Sequence, residues 1–403
     1  MDVKKIRREF PLLEESSRHK PYIYFDNACQ SLRPRSVIDA VQQYYVDWSA
    51  CGGRSNHQLS TAVTNRTTQA RQAVAKLINA ASEKEIIFTR NTTEGINLVA
   101  NSLALQPGDV VLITDKEHNS NLVPWQAAAR RRGIILKVIP SLEDNSFSMQ
   151  NFSALLDKNV KLVSVGWTSN LDGLTLPAAE IIKKAHQVGA LVLLDAAQAA
   201  PHQKINVRAL DVDFLAFSGH KMLGPSGMGV LYGKLALLEK LDPFLVGGDT
   251  VASTTYTEAV FLPPPEKFEA GLQDYAGIIG MGAAAGFLQQ VGFDFIQKQE
   301  SALTRMIMEG IRDIPGLHWI GPADPQNRGG ITTFYFDGVD MHQVAIMLDQ
   351  MANIQVRSGQ HCVHSWFNAR QVRGSVRASV YFYNTEEETE IFINNLKKVR
   401  KVL

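Results

Sequence analysis

Dense apolar runs alternate with helix-like stretches through the first two thirds of the chain. Residues 109–114 (DVVLIT), 134–139 (IILKVI), 160–165 (VKLVSV), 191–195 (LVLLD) and 212–218 (VDFLAFS) are rich in Val, Ile and Leu, with little polar alternation. That pattern predicts short strands covered on both faces. The stretches between them carry a helical period. In residues 67–80, Ala70, Ala73, Val74, Leu77 and Ile78 fall on one face. In residues 177–189, Pro177 suits a first helical turn and Gly189 a stop. Strands alternating with helices imply crossover units and an α/β architecture with a mostly parallel central sheet.

Beyond Pro263-Pro264-Pro265 the pattern changes, and helical sequence follows from about Gly277. From Phe293 onward it predicts a helix, a strand at 331–336, a helix, a short strand at 354–357, a strand at 375–382 and a last helix. In that helix Phe392, Leu396, Val399 and Leu403 share a face. The expected division is a large domain over 21–292 and a smaller α+β domain over 293–403. An N-terminal segment, 1–20, is expected to pack with the smaller one.

Composition narrows the class without naming a function. The chain has 403 residues, 45% hydrophobic and 20% charged, the balance of an ordinary globular protein. At roughly 150 residues per domain, that length suits two to three domains. Its net charge is +1, so no global field exists to hold a nucleic acid or an anionic membrane. The basic clusters Arg130-Arg131-Arg132 and Lys397, Lys398, Arg400, Lys401 sit on helix-like stretches and read as solvated faces. No apolar run approaches the ~18 residues that span a bilayer. The charged N-terminus lacks a signal-like apolar centre, so a cytoplasmic protein is expected. Cys29, Cys51 and Cys362 are widely spaced and form no CxxC pair, so neither a disulfide framework nor a metal site is expected.

The chemistry gathers in a few segments. In SGHKMLGPSGMGV (218–230), Lys221 follows a strand and precedes a Gly-rich turn. Ligands of such sheets bind beyond the carboxyl ends of strands. Ser218 and His220 suit a phosphate there, and Lys221 suits a Schiff base with an aldehyde. In LVLLDAAQAA (191–200), Asp195 ends a buried-type strand, where a carboxylate needs a cationic partner. A protonated pyridine nitrogen is such a partner, with Gln198 near a ring oxygen. In FTRNTTEGINLVA (88–100), Thr92 and Thr93 open a helix, a ready anion site. Taken alone, each segment also suits a plain structural role: a surface lysine, a capping aspartate, an ordinary helix cap.

Together they resemble pyridoxal-phosphate (PLP) enzymes of fold type I, and specifically the class V aminotransferase family in its cysteine desulfurase and selenocysteine lyase branch. The resemblance runs nearly end to end. It takes in YFDNACQSLRP (24–34), EHNSNLVPWQ (117–126), RSGQHC (357–362) and VRASVYFYNT (376–385). It implies a large PLP-binding domain with a mostly parallel sheet and a small domain carrying a catalytic-cysteine loop. It further implies that Lys221 binds the cofactor aldehyde and shuttles the proton. Asp195 would pair with the pyridine nitrogen, Gln198 with the ring hydroxyl, and His118 would stack on the ring. Thr92, Thr93, Ser218 and His220 would hold the phosphate. Asn170 and Arg377 would hold the substrate carboxylate, with Arg357, Asn27 and His57 at the same substrate mouth. A bidentate arginine suits a planar carboxylate.

Cys362 decides the reaction. Its neighbours Arg357, His361 and His364 are of the kind that favours a thiolate. In the desulfurases such a thiolate takes sulfur from pyridoxal-bound cysteine as a persulfide and leaves alanine. The expectation is therefore an L-cysteine desulfurase, with selenocysteine as a further candidate substrate. The resemblance further implies a homodimer that hands sulfur to an acceptor protein for iron–sulfur cluster assembly. Cys29 and Cys51 are expected to be structural.

The chain departs from the family pattern at Gln360, at Val363-His364-Ser365 and at Gly271-Leu272-Gln273-Asp274, where Leu272 replaces a threonine that reaches the partner subunit's phosphate. These departures keep alternatives open. One is another class V enzyme (a C–S or C–N lyase, an epimerase or an aminotransferase) in which Cys362 is incidental. The other is a non-catalytic sulfur-relay or binding partner.

Overall fold

After a two-residue strand β1 (Ile23–Tyr24), seven strands build one sheet: β2 (Ile86–Thr89), β3 (Val110–Thr114), β4 (Ile135–Ile139), β5 (Val160–Gly166), β6 (Leu191–Asp195), β7 (Phe214–Ser218) and β8 (Gly229–Gly233). This is a computed structural model, describing residues 2–15, 21–322, 324 and 328–403. The end of the expected N-terminal segment, 16–20, lies outside the described residues. The strand order is β2-β8-β7-β6-β5-β3-β4. Only β8 runs against its neighbours, pairing antiparallel with β2 and β7. The remaining pairs are parallel.

Helices cover both faces, which is why β3, β7 and β8 are buried at every position. Along β6, Val192 and Leu194 enter one core while Leu193 enters the other, as a period of two requires. Each such side chain contributes about 1.5–3 kcal/mol on burial. β4 lies at the edge and leaves Ile135 and Val138 half exposed. The connections reverse direction between β3 and β5. The loops after these strands therefore splay apart and leave a crevice, the position where open parallel sheets bind ligands.

A hairpin, β9 (Val251–Thr254) and β10 (Ala259–Phe261), stands off the surface with its residues largely exposed. The helix read from Gly277 starts at Tyr275, capped by Asp274, whose carboxylate accepts the Gly277 N–H. At Gly292 it gives way, with a 75° bend, to the helix Phe293–Ile311. No single helix among the described residues is long and apolar enough to cross a membrane.

The C-terminal part has its own antiparallel sheet. The strands β11 (Leu317–Ile320), β12 (Ile331–Phe336), β14 (Arg357–Gly359) and β15 (Ser375–Ser379) lie in the order β11-β12-β15-β14. Phe334, Leu348, Phe392 and Leu396 share a separate core there. Leu403, expected on the same helical face, follows the helix end and is 39% exposed.

Three expectations are corrected. The strand read at 354–357 is two pieces, because β13 (Ile354–Gln355) pairs with β1 while β14 joins the antiparallel sheet. The strand read at 375–382 stops at Ser379. Tyr381, Phe382 and Tyr383 are all fully buried, which alternating strand side chains cannot achieve, and the chain turns with Asn384 Oδ1 accepting the Tyr381 N–H. Pro177 is the residue before the helix Ala178–Gln187 rather than within its first turn.

The N-terminal segment touches both parts. Phe10 packs edge-on against Phe287 at 5.9 Å and tilted against Tyr383 at 4.6 Å between ring centres. Arg7 bonds Glu388 at 2.8 Å.

Candidate active site

The crevice at the strand ends is a cavity whose floor is built by the loops after β3, β5, β6 and β7. Lys221 sits in the tight turn Gly219–Lys221 directly after β7, and Asp195 is the last residue of β6. One Asp195 oxygen accepts the Ala197 N–H at 2.9 Å. Burial raises the Asp195 pKa and lowers that of Lys221, and each charge opposes the other's shift.

His118 caps the helix Asn119–Arg132, its Nδ1 accepting the Ser120 N–H at 3.1 Å. Burial, then Lys221, Arg377 and His364, pushes its pKa down to about 3, so the ring is neutral. A hydroxyl chain continues outward, with Ser120 Oγ 2.9 Å from His118 Nδ1 and 2.7 Å from Thr93 Oγ1.

The helix Thr92–Ser102 starts at the cavity with Asn91 as its cap. Thr92 N–H donates to Ser218 Oγ at 2.8 Å, and the two hydroxyls lie 2.6 Å apart. Helix N–H groups, the helix dipole and these hydroxyls together make an anion cradle. β8 passes under it at Gly229, where an added Cβ would lie 2.5 Å from Asn91 Cα. His220 lines the same wall, lowered to about 4 first by burial and then by Lys221 and Arg33. Gln198 Nε2 donates to Ala28 O at 2.7 Å, and its Oε1 is buried with no partner among the described residues.

The opposite wall comes from the small sheet. Arg377 on β15 is buried; its Nη1 donates to Asn170 O at 2.9 Å, its Nη2 lies 3.5 Å from Asp26, and its Nε has no partner among the described residues. Arg357, opposite it in register, is half exposed and 3.6 Å from Asp26. Asn170 Nδ2 donates to His361 O at 2.8 Å, tying the cysteine loop to the floor.

In that loop His361 and Cys362 both take left-handed backbone, at φ 50° and 60°. Cys362 is exposed at the cavity rim, and its carbonyl accepts the Asn119 N–H at 2.8 Å. Asn119 Nδ2 also lies 2.8 Å from His364 Nδ1. His361 is buried with Nε2 2.8 Å from Ser375 Oγ. Burial and the two arginines hold its pKa well below the usual imidazole range. His361 is thus neutral, and Arg357 and Arg377 are the arginines that line the cavity.

Lys221, Asp195, His118, Thr92, Thr93, Ser218, His220, Gln198, Asn170, Arg357, Arg377 and Cys362 therefore line one cavity. Two expected residues do not. Asn27 is buried behind it, its amide donating to Ser379 O at 2.7 Å and to Asn384 Oδ1 at 3.1 Å. His57 is exposed and caps the helix Gln58–Ile78. Cys29, expected to be structural, lines the cavity beside Ala28. Cys51 lies outside it, half buried. Leu272 is 70% exposed and does not line the cavity.

Glu117 went unread. It is fully buried after β3, accepting from Thr114 Oγ1 at 2.6 Å, Asn121 Nδ2 at 2.7 Å and Gly166 N–H at 3.0 Å. Burial raises its pKa to about 7 despite those bonds, with Asp195 adding to the rise. A carboxylate three residues past a buried strand, at the same end of the sheet as Asp195, was the available signal.

The chain belongs to the class V aminotransferase family, whose model matches residues 23–392. A probable cysteine desulfurase of Synechocystis sp. is 42% identical over 396 residues, covering 97% of this chain and 94% of the relative. The apo structure of a cysteine desulfurase from Thermococcus onnurineus NA1 superposes with a TM-score of 0.95 at 36% identity, over 100% of this chain and 99% of that one. A structure of C-DES with glycine covalently linked to its PLP cofactor superposes with a TM-score of 0.84 at 25% identity, over 97% and 98% of the two chains.

Proposed function

We propose that this protein is a PLP-dependent cysteine desulfurase, converting L-cysteine to L-alanine and holding the sulfur as a persulfide on Cys362. The observation that carries the reading is an exposed cysteine on the rim of a cavity floored by Lys221, Asp195 and His118.

The residues fit the cofactor. Gln198 offers a buried, unpartnered oxygen and the start of helix Thr92–Ser102 an anion cradle. Asp195 is a buried carboxylate in need of a cation, and His118 is a neutral ring. Lys221 would hold the aldehyde carbon, Asp195 the pyridine nitrogen and Gln198 the ring oxygen, with His118 against the ring face. Thr92, Thr93, Ser218 and His220 would hold the phosphate. When bound, PLP supplies an electron sink for charge developing at the substrate Cα.

The protein's own groups do the rest. Arg377, with Arg357 beside it, clamps the substrate carboxylate and aims the Cα–H at the floor. Lys221, its pKa lowered by burial, takes that proton and returns it to the product. Cys362 Sγ attacks the substrate sulfur, the carbon–sulfur bond breaks with its electron pair passing to the substrate carbon, that carbon takes up the proton given up by the thiol, and alanine leaves while the sulfur stays on Cys362 as a persulfide. Selenocysteine fits the same sequence of roles.

The chain is read as 21–292 carrying the cofactor site and 293–403 carrying the cysteine loop, with the N-terminal segment on both. Val246, Tyr256, Val260, Phe261 and Leu272 are exposed apolar residues around the β9–β10 hairpin. A second copy covering them would make the expected homodimer. The persulfide, facing outward, suits a sulfur-acceptor protein.

The test is anaerobic incubation of the PLP-loaded protein with L-cysteine, assaying alanine and mapping persulfide by mass spectrometry. One alanine per extra sulfur on Cys362, both absent in Cys362→Ser, is the expected result. Alanine formation undiminished in Cys362→Ser would assign a lyase instead.

A further inference from the structure

A second cavity of about 360 Å³ lies behind the first, and Thr168 and Gln198 line both. Its walls come from both parts of the chain. His202 and Gln203 enter from the loop after β6. Gln297, Glu300 and Ser301 enter from one face of the helix Phe293–Ile311, and Arg328 from the approach to β12. Residues three and four apart share a helix face, so this polar stripe points inward where apolar residues would pack more cheaply.

Arg328 is only 4% exposed. Its Nη2 donates to Ile320 O at 2.8 Å, while Nε and Nη1 have no partner among the described residues. Gln203 Nε2 is likewise buried and unpartnered. Asp172, the carboxylate whose charge reaches Arg328, is held by Lys116 at 2.7 Å. Glu300 is engaged by His202 Nδ1 at 2.7 Å. The guanidinium is also given deliberate room, since a Cβ on Gly321 would lie 2.6 Å from Nη2. What faces the cavity is thus an excess of donors, one of them cationic, with the surrounding carboxylates already committed. Water would satisfy the N–H groups but leave Arg328 and Lys116 sharing the single carboxylate of Asp172. An oxyanion supplies both acceptors and a further negative charge, and a guanidinium fork matches its geometry.

We propose that this interdomain cavity is a binding site for a small oxyanion, held by Arg328 and Gln203. The ligand bridges the two parts of the chain and sits one side chain, Gln198, away from the active-site cavity. The carboxylate and phosphate classes share the required chemistry. The proposal does not depend on the desulfurase reading.

Isothermal calorimetry on the PLP-loaded protein, titrated at constant ionic strength with sodium acetate and separately with sodium phosphate, tests it. Saturable binding of acetate alone assigns a carboxylate ligand, of phosphate alone a phosphate-type ligand, and of both a general oxyanion site. In each case Arg328→Gln should weaken binding by at least about tenfold, and Arg377→Lys, in the active site, should leave it in place. Should Arg328→Gln fail to fold, Gln203→Leu removes one donor and should weaken binding a few-fold. No saturable binding of either anion in the millimolar range overturns the proposal. So does binding that survives both cavity variants, or that is lost in Arg377→Lys instead.

Discussion

The floor and the rim of the active-site cavity are built in opposite ways. Lys221, Asp195 and His118 stand at strand ends and a helix start, withdrawn from water, where burial shifts each pKa. Cys362 stands in the open, in a turn where two successive non-glycine residues take left-handed backbone, at roughly 1–2 kcal/mol each. That turn is held by its main chain: Asn119 N–H binds Cys362 O, and Asn170 binds His361 O. The difference separates two demands. Groups that move protons are tuned by desolvation, whereas a sulfur carrier must reach inward and stay reachable from outside. Fixing the loop by its carbonyls leaves the thiol free to do both.

The largest expected effect breaks the floor. Lys221→Ala should lower alanine formation from cysteine by ~1,000-fold, within the span of a lost general acid–base group. Borohydride-treated protein should also lose its covalent cofactor adduct in denaturing mass spectrometry. Cys362→Ser tests the rim and should lower turnover by about 100-fold or more. Because the side chain is exposed, its urea-unfolding free energy should stay within about 0.5 kcal/mol of the parent. A large loss of stability there would erase the contrast between the two regions.

A third test asks whether burial tunes the floor. Glu117 has a folded pKa of about 7, above the ordinary 4.5. Its contribution is therefore fully present below pH 4.5 and is lost as the pH rises through 7. In cofactor-free protein, Glu117→Gln should gain about 3 kcal/mol relative to the parent between pH 4.5 and pH 8, from 1.36 kcal/mol per pKa unit. Urea titrations at the two pH values measure it, and parallel curves would contradict it. The smallest effect sharpens the rim. Asn119→Ala keeps the backbone bond to Cys362 but removes the side-chain bond to His364, worth about 1 kcal/mol or roughly fivefold in kcat.

The floor was legible because its residues follow strands that announce themselves. LVLLD and VDFLAFS are long apolar runs, so Asp195 and Lys221 could be placed at their ends before any fold was known. β2 and β8 escaped notice because IIFT and the Gly-flanked GVLYG offer only three consecutive apolar side chains each, against four in LVLLD. The rim was harder. Whether 354–357 is one strand or two depends on β1, more than 300 residues away in sequence. Asn27 and His57 lie in segments of the right kind, but hydrogen bonding and exposure, which only tertiary contacts decide, put them elsewhere. Cys29 lines the cavity for the same reason, although nothing beside it in sequence marks it.

The close passage of β8 beneath Asn91 has a consequence of another sort. The cradle's height above the sheet is gauged by a methyl group that is absent. Gly229→Ala would thrust a carbon to 2.5 Å from the Asn91 backbone, a separation that real Cβ atoms do not tolerate, and the helix start would have to lift. Thr92, Thr93 and Ser218 would all survive unchanged in identity, yet no longer converge on one point. A lineage could lose its grip on the anion there while every residue that touches the anion stayed the same.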